Sequence, residues 1–432
     1  MSNVEMNDNL VVEENNGLFE EMNDHSAVDV NNELDENHGV NVEMNDYLDE
    51  NNRLHEFVNQ LMLSEERAAS IIKKIVDDLK NIFKKDFPYE IVPFGSYVNG
   101  LRCVDSDVDI CLRIAPLVSS SKQIPVLNRI KKYLFKNESF GNIVHVRKAK
   151  VPILKFKHVP TTVDCDLSVD NEIGVTNTYL VKSYLSMNSH LKTVVLVLKH
   201  LLVMNDIKGT GKITTYILFW MVVFYMQQLD LLPPVMNARE TSSAPRIISG
   251  WNCSTPQTLD EPKEDPYSIR THVEKFCEFY ENFDFASQAV CPYLSCAVPA
   301  ENLTNLNLPS EFFGTFIDNM RNASVFPFKT HIMNVHDPTY LNANLTRPVT
   351  QHTVDVFKCL CHNTREFLQK NPNIRLNEVL AKNDPKLRVT SKIPSQPAMQ
   401  LPIFVRDDAT APSKPKRRKR NEHPVKFNRW RR

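Results

Sequence analysis

The chain has 432 residues and a formal net charge of −1, enough length for two or three packed units. The average hides opposite ends: residues 1–52 hold fifteen acids and no Lys or Arg, whereas residues 413–432 hold ten basic residues and one acid. The nine cysteines include no CxxC pair, so no zinc site is expected. The longest apolar run, residues 217–226, is far short of the ~20 residues of a membrane span, so no membrane segment is expected.

There is no secretory signal, so reduced intracellular thiols are expected. An acidic amino end is also the wrong chemistry for an Arg-rich mitochondrial presequence. Residues 1–52, with a degenerate NVEMND repeat, are predicted to be disordered. Residues 54–83 carry apolar side chains at three- and four-residue spacing and predict one helix, ended by Phe87-Pro88. YEIVPF is a short strand leading into FGSYVNGLRCVDSDVDICL. A helix over 125–134 and strands near 142–147, 151–157 and 161–171 follow. From Asn177 the pattern is helical, with buried helices through about 228. Residues 235–268 are polar and Pro-rich and predict a surface loop, and further helices cover 272–283 and 349–368. The predicted layout is an acidic disordered segment (1–52), an α/β unit with a leading helix (53–180), a mostly helical unit (181–372) and a basic disordered tail (373–432).

Alternation of Asp105, Asp107 and Asp109 with β-forming residues predicts a strand that aims three acids at one side. A bare DxD more often marks a solvated strand face. Two further pieces converge on it. Gly95-Ser96 sits in a turn where backbone can approach a phosphate, and Asp166 lies on a later strand in VDCDLSVDN. Three convergent carboxylates suit divalent cations of the Mg²⁺ type, which favour oxygen ligands.

FGSYVNGLRCVDSDVDICL resembles the GS…DxD signature of the polymerase-β-like nucleotidyltransferases. More narrowly, it is similar to the template-independent RNA 3′-terminal nucleotidyltransferases, the poly(A) and terminal uridylyl transferases. VDCDLSVDNEIGVTNTYLVKSY, LKTVVLVLKHLLVMNDI, GKITTYILFWMVVFYMQ, HVEKFCEFYENFDF and NVHDPTYLNANLTRPV continue the likeness over roughly residues 54–370. The resemblance implies a nucleotidyltransferase palm beside a helical domain, two Mg²⁺ or Mn²⁺ ions, an RNA 3′ end as acceptor and ATP as the favoured substrate. By the same likeness Asp107, Asp109 and Asp166 are catalytic metal ligands and Asp105 is auxiliary. Gly95 and Ser96 meet the triphosphate, Asn171, Asn177 and Thr178 lie near the nucleotide, and Lys199 neutralises phosphate. Thr215 and Tyr216 complete the site, with the Tyr216 ring on the base.

Each role has a plainer alternative. Asn171 and Asn177 suit turns or helix caps, Tyr216 suits core, and Lys199 suits a helix surface, although its apolar neighbours ask for an anionic partner. Where many relatives carry a second lysine this chain has Val203, with Lys208 or Lys212 as substitutes. In the specificity loop Ala343 precedes Asn344 where uridylyl transferases of this type tend to place a histidine. The small residue leaves room for a purine, which points to ATP over UTP. Asp337 is either a base-edge acceptor or the opener of a DP turn. No RRM, KH or zinc-finger pattern is visible, so RNA choice is expected to rest on an adaptor protein or on the basic tail. The run KPKRRKR suits a phosphate contact or a nuclear import signal, and the expected location is nucleus, cytoplasm or both.

Overall fold

The computed structural model describes residues 35–83, 88–115, 120–256, 263–322 and 327–389. The chain divides into residues 1–48 and a compact unit from Asp49 onward, which contains the palm and the helical core. In place of one helix over 54–83 there are two, α1 (Asp35–Leu61) and α2 (Glu65–Phe83). Ser64 causes the restart: its Oγ accepts from Arg67 N at 3.3 Å, and Glu65 and Glu66 occupy the first turn of α2, where acids favour a helix start.

The palm is a five-stranded sheet of β1 (Tyr89–Phe94), β2 (Val108–Ile114), β3 (Phe140–Val146), β4 (Ile153–His158) and β5 (Val163–Val169), in the order β1-β2-β5-β4-β3. Only β2 and β5 run parallel. A one-turn helix α3 (Ser96–Asn99) follows β1, and α4 (Ser120–Leu134) joins β2 to β3. Val108, Ile110 and Leu112 of β2, Leu154 and Phe156 of β4 and Cys165, Leu167 and Val169 of β5 share one apolar core with Ile75, Leu79 and Phe83 of α2 and Leu127, Ile130 and Leu134 of α4. The two-residue period of a strand sends Asp109, Lys155 and Asp166 to the opposite face.

The next elements are α5 (Glu172–Met187), α6 (Leu191–Met204), α7 (Thr215–Gln228), α8 (Val235–Glu240), the strand pair β6 (Ile247–Ile248) and β7 (Trp251–Asn252), and α9 (Ile269–Asn282). They are followed by the hairpin β8 (Gln288–Cys291) and β9 (Cys296–Pro299), α10 (Ala300–Asn305), α11 (Ser310–Arg321), α12 (Gln351–Lys370) and α13 (Leu376–Ala381). Every residue from Ile217 to Met226 of α7 is buried, so it is the axis of the helical core. Among the described residues no helix is long and apolar enough to cross a membrane.

Three boundaries differ from expectation. Leu54, Phe57 and Val58 of α1 pack into the helical core with α5, α6, α7, α9 and α12, not into the palm. Residues 235–268 are not all surface loop: Trp251 and Cys253 join Phe313, Phe316 and Phe328 in a third core. Regular structure also reaches into both ends predicted to be disordered. Helix α1 starts at Asp35, and Leu376, Val379, Leu380 and Leu387 are buried in the helical core. The NVEMND repeats near 3–10 and 20–24 and the run 414–420 lie outside the described residues.

Candidate active site

The expected three-acid strand is shorter than drawn. Strand β2 begins at Val108, so of the three acids only Asp109 is in it. Residues Cys103 to Ser106 form a turn, in which Ser106 N donates to Cys103 O and Cys103 N to Ser106 Oγ. Asp105 therefore leaves the group. Its exposed carboxylate lies 3.9 Å from both Lys199 Nζ and Lys208 Nζ. Asp107 precedes β2 directly, and Asp109 and Asp166 are Cα partners on the parallel strands β2 and β5.

The electrostatics of this group follow from crowding. Burial first, then the Asp107 and Asp166 charges, push the Asp109 carboxyl well above its usual range. Burial also raises Asp166, against the pull of Lys155. The Lys155 ammonium contacts both Asp166 oxygens, at 3.0 and 2.7 Å. Burial opposes that ammonium, but Asp166 outweighs it and holds Lys155 above the usual lysine value. Three carboxylates with two forced toward protonation are an oxygen donor set short of positive charge. They fit divalent cations such as Mg²⁺ or Mn²⁺.

Gly95 lies directly against this group. Its φ is +72°, and a Cβ built on it would stand 1.9 Å from Asp109 Oδ2, so any side chain there strains the turn or displaces the carboxylate. Gly95 N donates to Thr178 Oγ1 at 2.9 Å, and the Thr178 hydroxyl donates to Gly174 O at 3.0 Å. Thr178 thus ties the Gly95 turn to α5. Ser96 is the first residue of α3.

Asn171 is the N-cap of α5, with Oδ1 accepting from Gly174 N at 3.2 Å. The cap reading for Asn177 is thereby corrected: it lies in the second turn, and its Oδ1 accepts from Thr339 Oγ1 at 2.7 Å. Lys199 is buried in α6. Of the two substitutes for the missing lysine, Lys208 shares Asp105 with Lys199, whereas Lys212 pairs with Asp206 at 2.8 Å. Thr215 opens α7 after the Thr214 cap. The half-buried Tyr216 ring packs edge-on against Trp220, centroids 6.0 Å apart.

The loop after Met333 is fixed from within. Asp337 Oδ1 accepts from Thr339 N and Tyr340 N, at 2.8 and 3.0 Å, so this oxygen closes the DP turn. Burial raises the Asp337 carboxyl, and Lys150 opposes the rise. Asp337 N donates to Ala343 O, and Ala343 N to Tyr340 O. Asn344 has no capacity left for a base: its amide donates to Lys329 O, Met333 O and Asn334 Oδ1, and its oxygen accepts from Val335 N, Thr346 N and Thr346 Oγ1. It is a brace of the loop rather than a reader of the nucleotide.

Sequence reasoning missed Lys155, Lys150, Arg239 and Thr339. Lys155 reaches Asp166 only through the β4–β5 register. Lys150 Nζ lies 3.4 Å from the Tyr340 ring centroid, a cation–π contact. Buried Arg239 donates to Pro338 O at 2.8 Å and to Thr339 Oγ1 at 2.6 Å, although its segment reads as loop. An unbroken chain of hydrogen bonds thus runs from Arg239 through Thr339 to Asn177.

Residues 51–186 match the family described as the central palm domain of mitochondrial-like poly(A) RNA polymerase. Human terminal uridylyltransferase 7 is 27% identical over 205 residues, covering 46% of this chain and 14% of that protein. Bovine poly(A) RNA polymerase GLD2 is 27% identical over 221 residues, covering 48% and 45%. The chain thus spans less than half the length of either relative. Among solved structures, mtPAP in complex with ATPγS superposes with a TM-score of 0.64 at 19% identity, covering 78% of this chain and 70% of that one. The Cid1 poly(U) polymerase with Mg 3′-dATP bound gives 0.61 at 20%, covering 76% and 97%. The likeness to poly(A) and terminal uridylyl transferases is thus carried by the palm, residues 51–186, and the solved structures share its fold.

Proposed function

We propose that the chain is a template-independent RNA 3′-end nucleotidyltransferase that adds AMP units from ATP. What supports this reading is Asp109 and Asp166 paired on adjacent parallel strands, with Asp107 directly before β2 and its charge acting on Asp109, against the Gly95 turn where an added Cβ would strike Asp109. Asp107, Asp109 and Asp166 hold the divalent ions, which when bound supply the positive charge that an in-line phosphoryl transfer needs. Gly95 keeps backbone close to the triphosphate, and Ser96 offers its hydroxyl. Lys199 and Lys208, now against Asp105, turn to the phosphates. Tyr216 presents a ring for stacking, which gives affinity without base identity.

The preference for ATP rests on Ala343, whose backbone is locked to Asp337 and Tyr340 and whose methyl leaves room for a purine. An RNA-binding adaptor that selects the acceptor, and work in the nucleus or cytoplasm, belong to the same proposal. The test is extension of a labelled RNA primer by the purified chain with Mg²⁺ or Mn²⁺ and each nucleoside triphosphate separately. ATP extension that disappears in the Asp107→Ala/Asp109→Ala chain is the expected result, and Ala343→His should move the preference toward UTP. Extension chiefly with UTP by the unaltered chain makes it a uridylyltransferase. No extension with any nucleotide, with or without added adaptor, favours an inactive binding relative.

A further inference from the structure

Three metal-ligating side chains meet in the helical core, and none of them serves the nucleotide site. His190 lies in the turn between α5 and α6, Asp265 precedes α9, and His272 is in the first turns of α9. One ligand atom from each lies within 4.8 Å of the others. His272 Nε2 is 2.8 Å from Asp265 Oδ2, and His190 Nδ1 is 3.6 Å from the same oxygen. His272 is fully buried, with 5% of the Asp265 side chain and 15% of the His190 side chain exposed.

The group is built the way a ligand set is built. His272 Nδ1 faces the Tyr225 hydroxyl at 3.2 Å, and Asn188 Nδ2 donates to Asp265 Oδ2 at 2.7 Å. Asn188 Oδ1 accepts from His190 N and Leu191 N, which fixes the backbone of the third member. Such outer partners orient imidazole and carboxylate ligands. Against this order, the buried His190 Nδ1 has no partner within hydrogen-bond distance among the described residues, Asp265 Oδ2 at 3.6 Å being its nearest ion-pair contact, an expensive state for a buried polar atom.

We infer that His190, Asp265 and His272 bind one zinc ion, which pins the α5–α6 turn to the start of α9. Two imidazoles and one carboxylate are a zinc donor set, with water in the fourth place. Neighbouring ligand atoms of a tetrahedral site with ~2.0 Å bonds stand about 3.3 Å apart. The two imidazole–Asp265 separations, 2.8 and 3.6 Å, bracket that value, and the two imidazole ligand atoms lie within 4.8 Å of each other. On ligation the His272 proton leaves Nε2 for Nδ1 and is donated to the Tyr225 oxygen, which already faces it.

The experiment uses the full chain carrying Asp107→Ala and Asp109→Ala, so that the palm acids do not hold the metal. The protein is stripped with chelator, reloaded with Zn²⁺, desalted, and assayed for bound zinc and for Tm. About one zinc per chain and a Tm rise of roughly 5 °C are expected, both lost on adding His190→Gln. No retained zinc, or equal retention with His190→Gln, overturns the site. Should the His190→Gln chain fail to fold, Co²⁺ loading of the parent decides: a strong visible absorption of tetrahedral type supports the site, and a weak octahedral spectrum overturns it.

Discussion

Lys155 and Asp166 face each other across β4 and β5, with the ammonium 2.7 Å from one carboxylate oxygen and 3.0 Å from the other. The lysine holds positive charge where three carboxylates crowd. With Lys155→Met their repulsion is unrelieved, so the metal-free chain should unfold at a lower temperature. Added Mn²⁺ should then raise Tm by more than in the unaltered chain, because the ion no longer displaces a competitor. Thermal melts in chelator and in Mn²⁺ check this. An equal or smaller rise would mean that the lysine and the ion do not compete for Asp166.

Among the described glycines, Gly95 leaves the least room for a Cβ. Gly95→Ala combines a left-handed φ of +72° with a Cβ 1.9 Å from Asp109 Oδ2, so the carboxylate or the turn must shift. Loss of about 1–2 kcal/mol in stability is expected. Primer extension should fall by at least about 10²-fold, since displacement of a reacting group by an ångström has that effect. Denaturant titration and single-nucleotide extension measure the two separately. Extension at the original rate would show that the position of Asp109 is not critical.

Arg239 holds the 337–340 turn by two charge-assisted hydrogen bonds, and through Thr339 it holds Asn177. Arg239→Met should cost about 3 kcal/mol, the scale of losing buried bonds to a charged group. Because the residue acts through the loop, KM for the nucleotide should rise by a larger factor than kcat falls. A change confined to kcat would contradict the positioning role.

His336 supplies a pH dependence remote from the acids. It is fully buried, with Nε2 2.7 Å from Leu341 O and Nδ1 3.5 Å from Cys291 Sγ. Burial lowers its pKa from 6.5 to about 4. The folded value is depressed, so the unfolded chain takes up the proton first as pH falls. The stability concerned is complete above about pH 6.5 and is lost progressively toward pH 4, about 3 kcal/mol in all. His336→Gln should flatten this part of the curve. Denaturant midpoints at pH 7, 5.5 and 4 for both chains test it, and parallel curves would remove His336 as the source.

Much of the palm was legible because its signals are local. Alternation marks β4 and β5, and the GS…DxD spacing marks the turn and the acids. Local signals also misled. The helical periodicity of residues 54–83 runs straight through Ser64, because both helices are amphipathic and only the cap separates them. The β-forming residues after Cys103 do not reveal that Ser106 closes a turn and delays β2 to Val108, which is why Asp105 parts from the other acids. Polar composition hid Arg239 and Trp251, whose partners Thr339 and Phe316 are distant in sequence. Lys155, likewise, has no signal in its own strand. Its role comes from the register with β5.

The seating of α1 bears on how the chain is made. Asn51 Oδ1 accepts from Ile269 N, a partner 218 residues later, and Leu54, Phe57 and Val58 join a core that otherwise runs mainly from Leu180 onward. The palm core, by contrast, draws on one continuous stretch, Leu63 to Val169. A ribosome therefore releases a palm able to close on itself while α1, already synthesised, still shows an uncovered apolar stripe. Closing such a long loop is a slow event, and until it happens that stripe is the sticky surface of the nascent protein.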